Sequence, residues 1–181
     1  MIFGKRKVKK IVNNFLKEFG VKAKIGKSFC YYPEKELIQV SFSVPIDNAG
    51  ANMFMMNFNH LAPDIKADTF LIALLHELGH HMTVDELTTE EEEESLKKRI
   101  EVNVINLKKN STPEEVAKAN YEYFNMPDEA AATNWAIDYI RNNTEKVAEF
   151  WNELQPAIMR CYKLNRIGGR EWQRGKLQKQ N

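Results

Sequence analysis

The segment LLHELGHHMT, residues 74–83, holds three of the chain's four histidines, His76, His80 and His81, with Glu77 between the first two. Residues four apart on a helix share one face, a turn from each other. His76 and His80 can then each offer one ring nitrogen to a zinc ion at about 2.0–2.1 Å. Glu77, one step round, stands close to such a metal without binding it. It is suited to take a proton from a water whose pKa the metal lowers to about 7. This is the chemistry of the H-E-x-x-H pattern. The plain alternative is an amphipathic helix: Leu71, Leu74, Leu75, Leu78 and Met82 form one apolar stripe, and His76, Glu77 and His80 fall on the other side. So few histidines make a chance match rare. The flanks also fit, with an apolar run before the motif and Gly79 inside it, where a sheet can pack close. His81 points about 100° away from His80 and is read as a supporting or exposed residue.

A catalytic zinc takes three protein ligands, and the third has three candidates. Glu86 has the spacing of the last ligand in the H-E-x-x-H-x-x-G-x-x-H metzincins. However, Thr83 stands where that pattern needs a glycine to turn the chain, and no histidine follows. A cysteine would make a deformylase-like site, but neither Cys30 nor Cys161 has suitable surroundings. Glu129, in PDEAAATNWAIDYI, begins a helix whose Ala132, Thr133 and Ala136 share its face. Small residues let one helix approach another closely, as a shared metal requires. The competing reading is a first-turn glutamate that stabilises the helix dipole.

These residues carry a resemblance. H-E-L-G-H, followed by Glu129, Ala132, Thr133, Trp135 and Ala136 in the order E-x-x-A-x-x-aromatic-A, resembles the gluzincin zinc peptidases. The short helix–sheet–helix lead-in is similar to their small members, the ImmA/IrrE family. The resemblance covers Ile38 to Tyr139. It implies a minimal zincin-like fold, with His76, His80 and Glu129 as zinc ligands and Glu77 as the base. Thr133 departs from the Asn or Asp with which the family commonly supports a histidine ligand. The insertion between His80 and Glu129 is long for the family. Members act against repressors of mobile elements, so the resemblance implies a regulatory protease of a phage or integrative element.

The elements that must position these residues can be read from periodicity. KRKVKKIVNNFLKEFG has apolar residues at helical spacing, with Gly20 as a stop. VKAKIG, FCYY and ELIQVSFSVP read as short strands, the last with Ile38, Val40, Phe42 and Val44 alternating with mostly polar neighbours. NMFMMNF reads as a further strand after a turn at DNAG. From Asp64 onward the pattern is helical, including an extra helix in the insertion. Thr112, Pro113 and Glu115 form a capping box with proline at the first position. Another helix starts near Pro127, and a last one follows Thr144 with a kink expected at Pro156. The expected class is α+β: an N-terminal helix, a small antiparallel sheet, then a helical bundle carrying the H-E-x-x-H helix. A single domain is expected over 1–165, with a basic, flexible tail over 166–181.

Composition narrows the function. The chain has 181 residues, 43% hydrophobic, with 26 basic against 25 acidic side chains. That length can bury a real core, and the balance argues against a dedicated nucleic-acid binder. The two cysteines have no paired spacing and read as free thiols of a reducing compartment. No apolar run is long enough to span a membrane, and the basic N-terminus leads into no signal-peptide core. A cytoplasmic protein is expected, acting on a protein or peptide bound extended along a sheet edge such as LIQVSFSV.

Other features have ordinary readings. Glu90–Glu94 is the solvated, acidic start of a helix. The basic termini are solvated, and MFMM is core or sheet edge. Tyr121, Tyr123, Tyr139 and His60 are candidates to stabilise an oxyanion, with Tyr121 and Tyr123 favoured because they precede Glu129. The expected activity is zinc-dependent peptide hydrolysis. Its alternatives are a non-enzymatic regulator or virion component with structural or vestigial zinc, and an interaction module without metal.

Overall fold

The computed structural model describes residues 2–42, 49–108 and 110–177. The fold is α+β, and its chain forms two compact units: 1–44 with 145–181, and 45–144. The span expected as one domain contains residues of both.

In the first unit, helix α1 (Ile2–Leu16) buries Val8, Ile11, Val12, Phe15 and Leu16, the helical-spaced set of the sequence. A 3-10 turn and Gly20 end it. Gly20 takes φ 75°, a left-handed value that a residue without Cβ adopts at little cost, and its N–H donates to the Lys17 carbonyl. Three strands follow: β1 (Lys22–Gly26), β2 (Cys30–Tyr32) and β3 (Leu37–Ser41). Their order is β1-β3-β2, with β1 parallel and β2 antiparallel to β3.

The sheet is therefore mixed rather than antiparallel. A turn at Pro33–Lys35, closed by Glu36 at φ 44°, folds β3 back along β2. On the other side Asn13 of α1 accepts from the Ala23 N–H at 2.8 Å, which anchors β1 in the same direction as β3. The strand richest in buried residues, with Ile38 and Val40, takes the centre. Both its sides are thus already paired, and it is no free edge for a peptide. Ser43, Val44 and the first half of the expected DNAG turn, Asp47 and Asn48, lie outside the described residues, and Ala49 and Gly50 begin a helix.

Helix α7 (Thr144–Leu177) completes this unit. Phe150 stacks on Phe15 at 4.1 Å, and Lys146 meets Glu18 at 2.5 Å. Pro156 lies inside the helix without ending it. The helix runs through most of the segment expected as a tail, and 178–181 lie outside the described residues.

The second unit is helical: α2 (Ala49–Leu61), α3 (Thr69–Thr83), α4 (Thr89–Leu107), α5 (Pro113–Phe124) and α6 (Pro127–Asn142). The segment NMFMMNF, expected as a strand, is helix. Phe54 and Phe58 are buried four apart and Met56 is exposed, a helical rather than a two-residue period. Asn52–Leu61 contains no β-branched residue, and methionine is a good helix former. The Asp68 side chain caps α3 by accepting from Phe70 N–H at 2.8 Å. Thr88 with Glu91, and Thr112 with Glu115, form the capping boxes of α4 and α5. Among the described residues no helix is long and apolar enough to cross a membrane.

Candidate metal centre

The site is built on the contact between α3 and α6. A Cβ placed on Gly79 would lie 2.3 Å from the Ala132 carbonyl oxygen and 2.8 Å from its Cα. No other residue lets the two backbones approach so closely. The partner behind the glycine is a helix, not the sheet that the sequence suggested. Ala132, Thr133 and Ala136, the small face of α6, are all buried. Leu71, Leu74, Leu75 and Leu78 fill the other side of α3, so the helix is covered on both sides along most of its length, with Met82 exposed at its end.

This approach brings His76 and His80 of α3 to Glu129 in the first turn of α6. One ligand atom from each lies within 4.8 Å of the others. His76 Nε2 is 3.0 Å from Glu129 Oε2, and His80 Nε2 is 3.6 Å from Glu129 Oε1. Four ligands arranged tetrahedrally at zinc bond lengths stand roughly 3.3 Å apart. The two separations bracket that value, and two imidazoles with one carboxylate are a donor set that zinc takes. The residues therefore fit a divalent metal. Glu86 is exposed at the 3-10 turn after α3, while Cys30 and Cys161 belong to the first unit. None of the three is in the group.

Two of the three ligands, His76 and Glu129, are held from behind. Thr133 Oγ1 lies 3.1 Å from His76 Nδ1. With hydrogen on Nδ1 donating to that hydroxyl, Nε2 is the atom left to face Glu129. The Thr133 hydroxyl thus supports the ring on the side away from Glu129. Phe54 of α2 packs against the His76 ring at 4.8 Å, and the two histidine rings meet edge-on at 4.7 Å. The Tyr123 hydroxyl, at the end of α5, donates to Glu129 Oε1.

Two further residues come from α4 and were not foreseen as part of the site. Arg99 Nη2 lies 3.2 Å from Asp128 Oδ2 and 3.5 Å from Glu129 Oε1. Ser95 donates to Asp128 Oδ1 at 2.6 Å. The inserted helix thus holds the carboxylates at the start of α6. The one signal for this in the sequence is Asp128 beside Glu129 at a helix start, two acids that need partners if buried.

The electrostatics keep Glu129 ionised and His80 neutral, while Glu129 draws His76 toward its protonated form, a proton that a bound metal would displace. Burial, and then the positive charge of His76, push His80 down to about 4, so it is neutral with a lone pair near neutral pH. Burial alone would raise Glu129. The His76 hydrogen bond, the charges of both histidines and the Tyr123 hydroxyl outweigh it and hold Glu129 at about 2. Burial would lower His76, but the hydrogen bond and charge of Glu129, with Glu77 next, raise it. Burial and the Glu129 charge raise Tyr123, which keeps its proton. Glu77 is half-buried on α3 and close enough for its charge to act on His76. His81 is also half-buried on α3 and outside the group. Tyr121 and His60 are exposed, and Tyr139 stacks on Trp135 at 5.0 Å.

Compared with family models, curated proteins and solved structures, the chain matches none.

Proposed function

We propose that the chain is a zinc-dependent peptidase of gluzincin type, resembling the small ImmA/IrrE family. One observation carries this reading: the buried nitrogens of His76 and His80 converge with the Glu129 carboxylate within 4.8 Å, and Glu77 follows His76 directly on the same helix. A structural metal site has no use for a base at that position. His76, His80 and Glu129 would hold the metal. When bound, zinc supplies a Lewis acid that polarises a peptide carbonyl and acidifies water.

The chain's own residues supply the rest. Glu77 takes the proton of the attacking water and delivers it to the leaving amine nitrogen. Thr133 fixes the His76 ring so that Nε2 faces the metal position. Tyr123 keeps its proton and can donate to Glu129 or to negative charge growing on the carbonyl oxygen. The substrate is an exposed, flexible peptide segment of a protein, able to extend into the site. A regulatory role in a phage or mobile element rests on the resemblance alone.

The test is digestion of unfolded proteins by wild type and Glu77→Gln, each with and without a zinc chelator. Glutamine is nearly isosteric, so zinc content should be equal in the two. Cleavage should fall about 10²–10⁴-fold in the variant and vanish with chelator. Equal cleavage by both would expose a contaminating protease. No cleavage by zinc-loaded wild type would move the assignment to a non-enzymatic regulator.

A further inference from the structure

Helix α4 presents two opposite faces. On one, Ser95 and Val102 are buried and Lys98 and Ile105 half-buried. On the other, Leu96, Ile100 and Val104 are 58%, 57% and 53% exposed. At about 100° per residue the three span about 80° and point about 170° away from the inward face. Single exposed apolar side chains are ordinary. A row at i, i+4 and i+8 on one helix is the kind of seam by which helices pair.

Most of the charges beside the row are sorted along the helix. Glu90, Glu92, Glu93 and Glu94 are exposed at its N-terminal end, whereas Lys97 and Arg99 are exposed at its middle and Lys108 just past its C-terminal end, with Glu101 the one acid exposed beyond Ile100. We propose that this row is the contact between two copies of the chain, α4 against α4, antiparallel, with Ile100 on the two-fold axis. A two-fold contact must be self-complementary, and this one is. With Ile100 facing its counterpart, Leu96 of each copy meets Val104 of the other, and Glu92 meets Lys108. A parallel pair would set the two acidic ends side by side. An unrelated partner would have no reason to match both the apolar row and the reversal of charge along it. The row is short, on a helix about 28 Å long, so the contact is weak, with a dissociation constant on the order of tens of micromolar.

The test is sedimentation velocity of the full chain from about 5 µM to about 500 µM. The expected result is a mass rising from 21.1 kDa toward twice that value. Ile100→Glu places two like charges on the axis and should raise the dissociation constant at least about tenfold. The site is exposed, so its circular dichroism should not change. Under mild oxidation Leu96→Cys/Val104→Cys should form a covalent dimer, whereas Leu96→Cys alone should behave as wild type, which supplies the background from Cys30 and Cys161. Positions 96 and 104 of one chain are two turns apart, about 12 Å, too far for a bridge within it. A wild type that stays monomeric throughout, a dimer that Ile100→Glu leaves intact, or efficient cross-linking by Leu96→Cys alone would each overturn the proposal. Monomer in isolation with capture of an unrelated apolar helix at this row would do the same.

Discussion

Thr133 and His76 meet at 3.1 Å across the contact of α6 with α3, hydroxyl oxygen to Nδ1, and both residues are buried. This contact decides which nitrogen of the ring faces Glu129. Thr133→Val keeps the volume and removes the acceptor. Metal affinity should fall about 10–100-fold, the usual effect of losing such a supporting contact, while Thr133→Ser should stay close to wild type. Competition with a chromophoric chelator measures both. Equal affinity in all three proteins would show that the ring is oriented by packing against Phe54.

Purified without chelators, the chain should carry about one zinc per molecule. His76→Ala, His80→Ala and Glu129→Ala should each remove most of it, because three donors are the least that hold a catalytic ion. Glu86→Ala should not, since Glu86 is exposed at the 3-10 turn and outside the group. Elemental analysis of the five proteins is sufficient. Metal lost in Glu86→Ala and kept in Glu129→Ala would reverse the ligand assignment.

Arg99 and Asp128 form one of the links that tie α4 to the start of α6, beside that of Ser95 with Asp128. Arg99 is about half exposed, so solvent screens the pair and its coupling should be modest, about 0.5–1 kcal/mol. A double-mutant cycle of Arg99→Ala and Asp128→Asn in urea reads that coupling. Arg99→Lys should recover only part of it, because an ammonium lacks the planar fork of donors. Zero coupling would leave Ser95 as the partner that holds Asp128.

How much of this was legible depended on range. His76, Glu77 and His80 were readable because their relation is local, one helical turn. The Thr112 capping box was readable for the same reason. Glu129 needed one further step, the small face of its helix, which marked where another helix could approach. Ser95 and Arg99 were not legible, because 33 and 29 residues separate them from Asp128 and nothing local points across that gap. The direction of β1 was hidden too, since it depends on a hydrogen bond from Ala23 to Asn13 in a different element. NMFMMNF is a different case: a short apolar run fits either period, and only the lack of β-branched residues favours the helix.

Gly79→Ala separates intrinsic propensity from close packing by its sign. Within an isolated helix alanine is better than glycine by about 1 kcal/mol, so propensity alone predicts a more stable protein. Here the added Cβ would fall 2.3 Å from a backbone carbonyl oxygen, that of Ala132, which cannot swing aside as a side chain can. α6 must move outward, and Glu129 sits three residues before Ala132 on that helix. The expected result is a net loss of about 1–3 kcal/mol, typical of overpacking, with weaker zinc binding in the same variant. Urea denaturation of the metal-free protein measures the first and chelator competition the second. Metal-free protein is the right material for stability, because bound zinc would add its own binding energy to the folded state. A variant as stable as wild type, with zinc affinity intact, would mean that α3 and α6 do not approach as closely as this site requires.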